Sequence, residues 1–415
     1  MIKSDVELRK VVDKVVDEVR VTDVHTHLYT PCFGDLLLWG VDELVTYHYL
    51  IAETFRWLDI PYEEFWNMDK ESQAALIWEK LFIENSPYSE ACRGVLTVLN
   101  KLGLDVKKDG LSEYREFFKN KTMDEYVDMV FDMSGVKEVV MTNDPFDDAE
   151  REIWLNSYSE DERFKAALRI DPLLNGGVDV LHQLKGWGYD VDTQLNEKTY
   201  AEVRRFLSEW VDRMNAVYMA VSLPPTFKFP EDSMRAKLIE NCILPVCREY
   251  NIPFALMIGV KKLVNPDLKL AGDSVGKSSI EAVEYLCANY PHNKFMVTML
   301  ARENQHELCV AARKFRNLLV FGCWWFLNNP SLIDEITRMR FELLGVSVVP
   351  QHSDARVLDQ LIYKWAHSRK IIADVLYDKY KDLMDTGWPL TEEDITRDVE
   401  KLMSGNFWEF LERKF

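Results

Sequence analysis

Residues 19–28 read Val19-Arg20-Val21-Thr22-Asp23-Val24-His25-Thr26-His27-Leu28, a β-branched run that closes on two histidines with one residue between them. Residues 19–24 are expected to form the first buried strand of the chain. Alternate side chains of an extended backbone project to the same side, so His25 and His27 converge and can share one metal ion. A lone histidine on a strand is usually a hydrogen-bonded core residue. A pair at this spacing, at the end of an apolar run, reads instead as two ligands.

Outward from this stretch, apolar or β-branched runs recur at residues 138–142, 164–170, 217–223, 253–259, 295–300, 318–323 and 346–350, making eight with the first. Amphipathic stretches at 198–214, 234–250, 278–290, 305–315 and 330–344 separate most of them. Strands apolar on both faces that alternate with helices imply an α/β fold with a parallel sheet covered by helices. Eight strands suit a closed (β/α)8 TIM-type barrel better than an open doubly wound sheet. The missing Gly-rich phosphate loop after the first strand also counts against the open, nucleotide-binding arrangement. Residues 1–30 are expected to hold an N-terminal helix and barrel strand 1. Residues 31–136, rich in aromatics such as Trp39, Tyr47, Tyr49 and Trp57, read as a helical insertion subdomain over the barrel mouth. Residues 137–415 supply the remainder of the barrel, with C-terminal helices at 357–380 and 392–415.

The chain has 415 residues, long enough for one barrel with an insertion. Its 50 Lys and Arg against 69 Asp and Glu give a net charge of −19, which argues against nucleic acid or an anionic membrane as partner. A small anion is still admissible, because a few arginines focused in a cleft outweigh distant, screened carboxylates. Seven scattered cysteines without a Cys-x-x-Cys pair point to free thiols in a reducing cytoplasm. The first twenty residues have helical amphipathicity rather than a signal-peptide pattern, and no apolar run reaches membrane-spanning length. A soluble cytoplasmic location is therefore expected.

In a barrel the carboxyl ends of the strands carry the chemistry. Strand eight runs into His352-Ser353-Asp354-Ala355-Arg356 and would close beside strand one. Asp354 then becomes the third ligand to His25 and His27, although an aspartate here could also cap the next helix. Two histidines and one carboxylate leave coordination positions open, as a catalytic ion requires. Arg169, Arg302 and Arg356 follow strands three, six and eight, and planar guanidinium groups suit bidentate capture of a carboxylate. A small organic acid is the substrate class this suggests.

Asp23-Val24-His25-Thr26-His27-Leu28, His48-Tyr49, Phe321-Gly322-Cys323-Trp324-Trp325-Phe326 and Ser353-Asp354-Ala355-Arg356 together resemble the uronate (glucuronate) isomerase family of the amidohydrolase superfamily. The motifs run from the first strand to the last, so the resemblance spans nearly the whole chain. It implies reversible aldose-ketose isomerisation of hexuronates, D-glucuronate to D-fructuronate and D-galacturonate to D-tagaturonate. It also implies one divalent ion, Zn2+, on His25, His27 and Asp354, with His48, Tyr49, Arg169, Trp325 and Arg356 around the sugar acid. Several stretches of longer members look shortened, which places the chain near a compact branch. Where common members read Asp-Ser-Arg, this chain has Asp354-Ala355-Arg356, keeping both functional side chains.

No histidine stands at the ends of strands four to six, so a binuclear hydrolase is disfavoured. Lys261 and Lys262 read as solvated loop cations. Of Trp324 and Trp325, strand alternation sends one to the core. Within the isomerase reading, Asp354 is the base or proton relay, Tyr49 or His48 the acid, and Arg356 with Arg169 the carboxylate clamp. The rivals are a metal-dependent hydrolase or decarboxylase on the same scaffold, and a sugar-acid binding protein without turnover. The expected partners are a small sugar acid and further copies of this chain in a homo-oligomer.

Overall fold

The computed structural model describes residues 1–415. Nine strands occur: β1 Val21–Thr26, β2 Val136–Asn143, β3 Phe164–Arg169, β4 Met219–Leu223, β5 Phe254–Ile258, β6 Val260–Lys261, β7 Ser274–Val275, β8 Phe295–Met299 and β9 Leu318–Val320. Seven of them form one parallel sheet in the order β1-β2-β3-β4-β5-β8-β9, while β6 and β7 pair antiparallel as a separate ribbon. This ribbon lies in a span expected to be loop.

Alternation along the strands sorts side chains onto two faces. Val139 and Met141 join the large outer core under the helices, whereas Val140 turns inward. Inward residues of all seven strands, among them Val24, Ala167, Ala220, Met257, Met296 and Leu319, meet in a single cluster, so the sheet is curled. Phe407 and Phe410 of the helix Asn406–Glu412 join the same cluster, so that helix packs against the inner face.

The expected eighth strand, residues 346–350, is not a strand. Val349 makes one isolated parallel bridge to Phe321, with its N–H on Val320 O and its carbonyl receiving Gly322 N–H. Both backbone groups of Val349 face β9, so Pro350, which has no N–H, withholds a donor from the opposite, β1 side. Beyond it the chain still reaches β1: Asp354 N–H donates to His25 O and His27 N–H to Ala355 O. Fully buried Asp23 reinforces the junction by accepting Ser353 N–H at 3.0 Å and Trp365 Nε1–H at 2.8 Å. Gly322 lies at φ 63°, and a Cβ there would sit 1.8 Å from His352 Cδ2, so only glycine lets these segments meet.

The helix Asp5–Glu18, capped by Ser4 Oγ, packs on the long helix Gln360–Asp385, with which it covers the outside of the sheet. Residues 31–136 carry seven α-helices from Val41–Val45 to Met123–Ser134, and their apolar faces belong to the same outer core as the sheet. No helix is long and apolar enough to cross a membrane.

Candidate active site

The carboxyl ends of the sheet strands and the loops that follow them surround one cavity, lined by His25, His27, Thr142, Arg169, Ser222, Met257, Trp324, Trp325, Asp354 and Arg356, with His48 from the insertion. His25 Nε2 and His27 Nε2 lie 3.7 and 3.5 Å from Asp354 Oδ1. These three ligand atoms are all within 4.8 Å of one another. The tautomers of both histidines follow from their neighbours. Tyr218 Oη donates its only proton to Val24 O at 2.8 Å, so at 3.1 Å it must accept Nδ1–H of His25. Thr142 Oγ1 likewise donates to Thr26 O at 2.8 Å and accepts Nδ1–H of His27 at 3.0 Å. Each Nε2 therefore turns a lone pair into the cavity.

Burial, reinforced by His27 and by Arg169 and Arg356, pushes His25 down to about 3. Burial and the same two arginines hold His27 well below its ordinary value, so both rings are neutral near pH 7. Asp354 Oδ1 is buried without a hydrogen-bond partner. Two oriented neutral imidazoles and one unpartnered carboxylate oxygen form a donor set that fits a divalent cation. Removing a proton acceptor behind one ligand tests this directly. Tyr218→Phe is expected to weaken cation affinity about tenfold to a hundredfold, read by competition with a chromogenic chelator, while circular dichroism stays unchanged.

Two further buried atoms at the cavity lack partners, His48 Nε2 and Trp325 Nε1. Their rings meet edge to face at 5.7 Å. Trp325 and Asp354 are also non-glycine residues held at φ 47° and 54°, a backbone strain that concentrates at functional sites. Arg169 is gripped by Asp171, Nε to Oδ2 at 3.1 Å and Nη2 to Oδ1 at 3.3 Å. Arg356 is different: its backbone N–H bonds Gln360 Oε1, yet its guanidinium makes no hydrogen bond or ion pair within the protein.

An uronate isomerase of Bacillus halodurans C-125 superposes with a TM-score of 0.98 and is 59% identical, over 100% of this chain and 98% of that one. The chain belongs to the uronate isomerase family. An uronate isomerase of Thermotoga maritima (TM-score 0.76, 16% identity, 99% of each chain) and a glucuronate isomerase of Caulobacter crescentus (0.70, 12%, 99% and 95%) share the fold. Neither a family model nor a curated protein sequence matches the chain.

As a member of the uronate isomerase family the chain is an isomerase, and the structure redistributes several of its expected site residues. His25, His27, His48, Arg169, Trp325, Asp354 and Arg356 come together. Arg302 does not: β8 ends at Met299, and the turn Arg302–Asn304 sends this side chain outward to Glu335 at 2.9 Å, more than half exposed. Tyr49 stands behind His48, ring centroids 4.6 Å apart, and is not among the lining residues. Behind it lies Lys364, whose ammonium sits 5.8 Å from the Tyr49 ring and is pushed down to about 8 by burial. Trp324 and Trp325 both line the cavity, because β9 ends at Val320 and the two residues lie in the loop and short turn after it, where strand alternation no longer applies. Thr142, Tyr218 and Asp171 had no role assigned from the sequence, although Thr142 and Asp171 stand among the polar residues at the ends of the expected second and third strands. Lys262, expected as a solvated cation, also lines the cavity.

Proposed function

We propose that this protein interconverts hexuronates and their ketose forms, D-glucuronate with D-fructuronate and D-galacturonate with D-tagaturonate, at the cavity of His25, His27 and Asp354. The observation that carries the reading is one of unmet bonds. Asp354 Oδ1, His48 Nε2 and Trp325 Nε1 are buried without partners, and an uncommitted Arg356 guanidinium lines the same cavity. Buried polar groups are normally satisfied, so these await a ligand rich in oxygens that carries a negative charge.

The roles follow from the chemistry. Moving a proton between C-2 and C-1 needs a base at the acidic C–H, a donor at the oxygen that becomes negative, and a fixed substrate. Asp354 takes the proton from one carbon and returns it to the other. Trp325 Nε1–H, a donor only, binds a sugar hydroxyl or carbonyl oxygen, and His48 Nε2 serves the carbonyl end. Tyr49 packs against His48 and orients it. Arg356 clamps the distant carboxylate, with Arg169 set by Asp171 beside it. His25, His27 and Asp354 would hold a divalent cation, for which Zn2+ suits the donor set and which would supply positive charge beside the substrate oxygens.

The inferred scaffold is an eight-membered (β/α)8 ring whose last position is the irregular segment around Val349, roofed by the insertion at 31–136. Incubating the metal-replete protein with D-glucuronate and following the ketose by 13C NMR tests the reading. Ketose formation without carbon dioxide release is expected, and binding without any ketose would overturn it.

A further inference from the structure

Between β5 and β8 the chain leaves the sheet in an excursion that contains β6, β7 and the turn Pro266–Gly272. It is fastened to the insertion: Trp66 Nε1–H donates to Asp267 O at 2.8 Å, and Lys269 Nζ lies 4.2 Å from the centroid of the Trp66 ring. Lys262 projects from it into the cavity and also lines an adjoining outer pocket with Arg169, Asp171, Ser222 and Val260. Its ammonium lies 5.9 Å from the centroid of the Trp325 ring.

Although 61% of this side chain is exposed, it is held in place. Asp273, with a side chain only 1% exposed, binds Lys262 Nζ at 2.7 Å through Oδ2 and Leu263 N–H at 2.8 Å through Oδ1. An exposed lysine ordinarily keeps its rotamer freedom, and a surface ion pair contributes little to stability. Burying a carboxylate to fix such a lysine therefore makes sense for what the cation meets on its cavity side. Nζ has three N–H donors, and Asp273 occupies one.

We propose that Lys262 is a substrate-binding residue that donates to the oxygens of the bound sugar acid from the cavity mouth, and that with Arg356 it selects anionic aldoses over neutral ones. Asp273 is its positioning residue. Like Arg169 on Asp171, Lys262 is steadied by a carboxylate, and the two N–H donors of Nζ that Asp273 leaves free add a further cationic donor at the mouth. The inference rests on the isomerase reading for the identity of the ligand.

Two measurements keep the inference separate from that reading: KM and kcat for D-glucuronate, and calorimetric Kd for a hexaric acid, which has no aldehyde and cannot be isomerised. Lys262→Met is expected to raise both KM and Kd about tenfold and to leave kcat within about twofold, as for loss of one charge-assisted hydrogen bond. Lys262→Arg should restore both to within about threefold. Asp273→Asn should raise KM, and add nothing in the Lys262→Met background if it acts only through the lysine. Unchanged KM and Kd in Lys262→Met, or a fall in kcat alone, would overturn the inference. If the wild type forms no ketose, the isomerase reading fails, and the hexaric acid still decides the role of Lys262.

Discussion

Asp354→Asn is expected to lower kcat for D-glucuronate by about three orders of magnitude or more, because one change removes both the proton acceptor and an anionic cation ligand. Asparagine keeps the shape of the side chain and is among the few residue types that tolerate a left-handed backbone such as the φ of 54° here. The backbone bonds from Asp354 N to His25 O and from His27 N to Ala355 O are untouched. The melting temperature of the cation-free protein should therefore move little, while bound metal, measured by plasma mass spectrometry, falls. The carboxylate oxygen that is lost is buried and otherwise unpartnered, so no protein group takes over its work. Full turnover in a folded Asp354→Asn protein would dismiss this residue as base and relay alike.

The second large effect is expected at Arg356. Its guanidinium is the one cavity cation with no carboxylate of the protein beside it; Arg169 has Asp171 and Lys262 has Asp273. A planar fork left uncommitted in a closed site matches a substrate carboxylate in two parallel hydrogen bonds. Arg356→Met should lower kcat/KM by about two to three orders of magnitude, chiefly through KM, as for truncating one partner of a buried charge pair. Lysine at this position should recover only part, since a point charge does not reproduce the fork. The positive charge also contributes to the depressed basicity of His25 and His27. Removing it relieves repulsion at both rings, of a proton and of a divalent cation alike. Wild-type kcat/KM in Arg356→Met would place the carboxylate elsewhere.

Much of this arrangement was legible in the residues alone. Period-2 spacing shows that His25 and His27 share a side whatever the remainder of the fold, and the recurrence of apolar runs orders the parallel strands. Asp354 could be paired with them only through topology, which succeeded because the backbone near residue 354 reaches β1. Spacing could not reveal where the eighth run ceases to be a strand, since Val349 is as β-prone as its neighbours and the interruption depends on Pro350 and the left-handed Gly322. Arg302 was misplaced for a related reason: position after a strand does not fix direction, and a short turn reverses it. Tyr218 and Asp273 were out of reach, because nothing local distinguishes a residue that orients a ligand or steadies a lysine from one that fills space. Such roles exist only between segments far apart in sequence.

The junction at Asp23 carries a consequence for how the protein is made. Ser353 and Trp365, which bind its carboxylate, lie 330 and 342 residues further along the chain. During synthesis β1 emerges first and waits for nearly the whole polypeptide, its two imidazoles lacking their third companion. Contacts of this span form late, because the loop they close is long. With His25, His27 and Asp354 holding a cation as proposed, its uptake during refolding would time the meeting of β1 with the segment around residue 354 rather than any local step. A single proteolytic nick between β1 and Asp354 would divide the ligands between two fragments, which could hold the ion together only by rebuilding that junction.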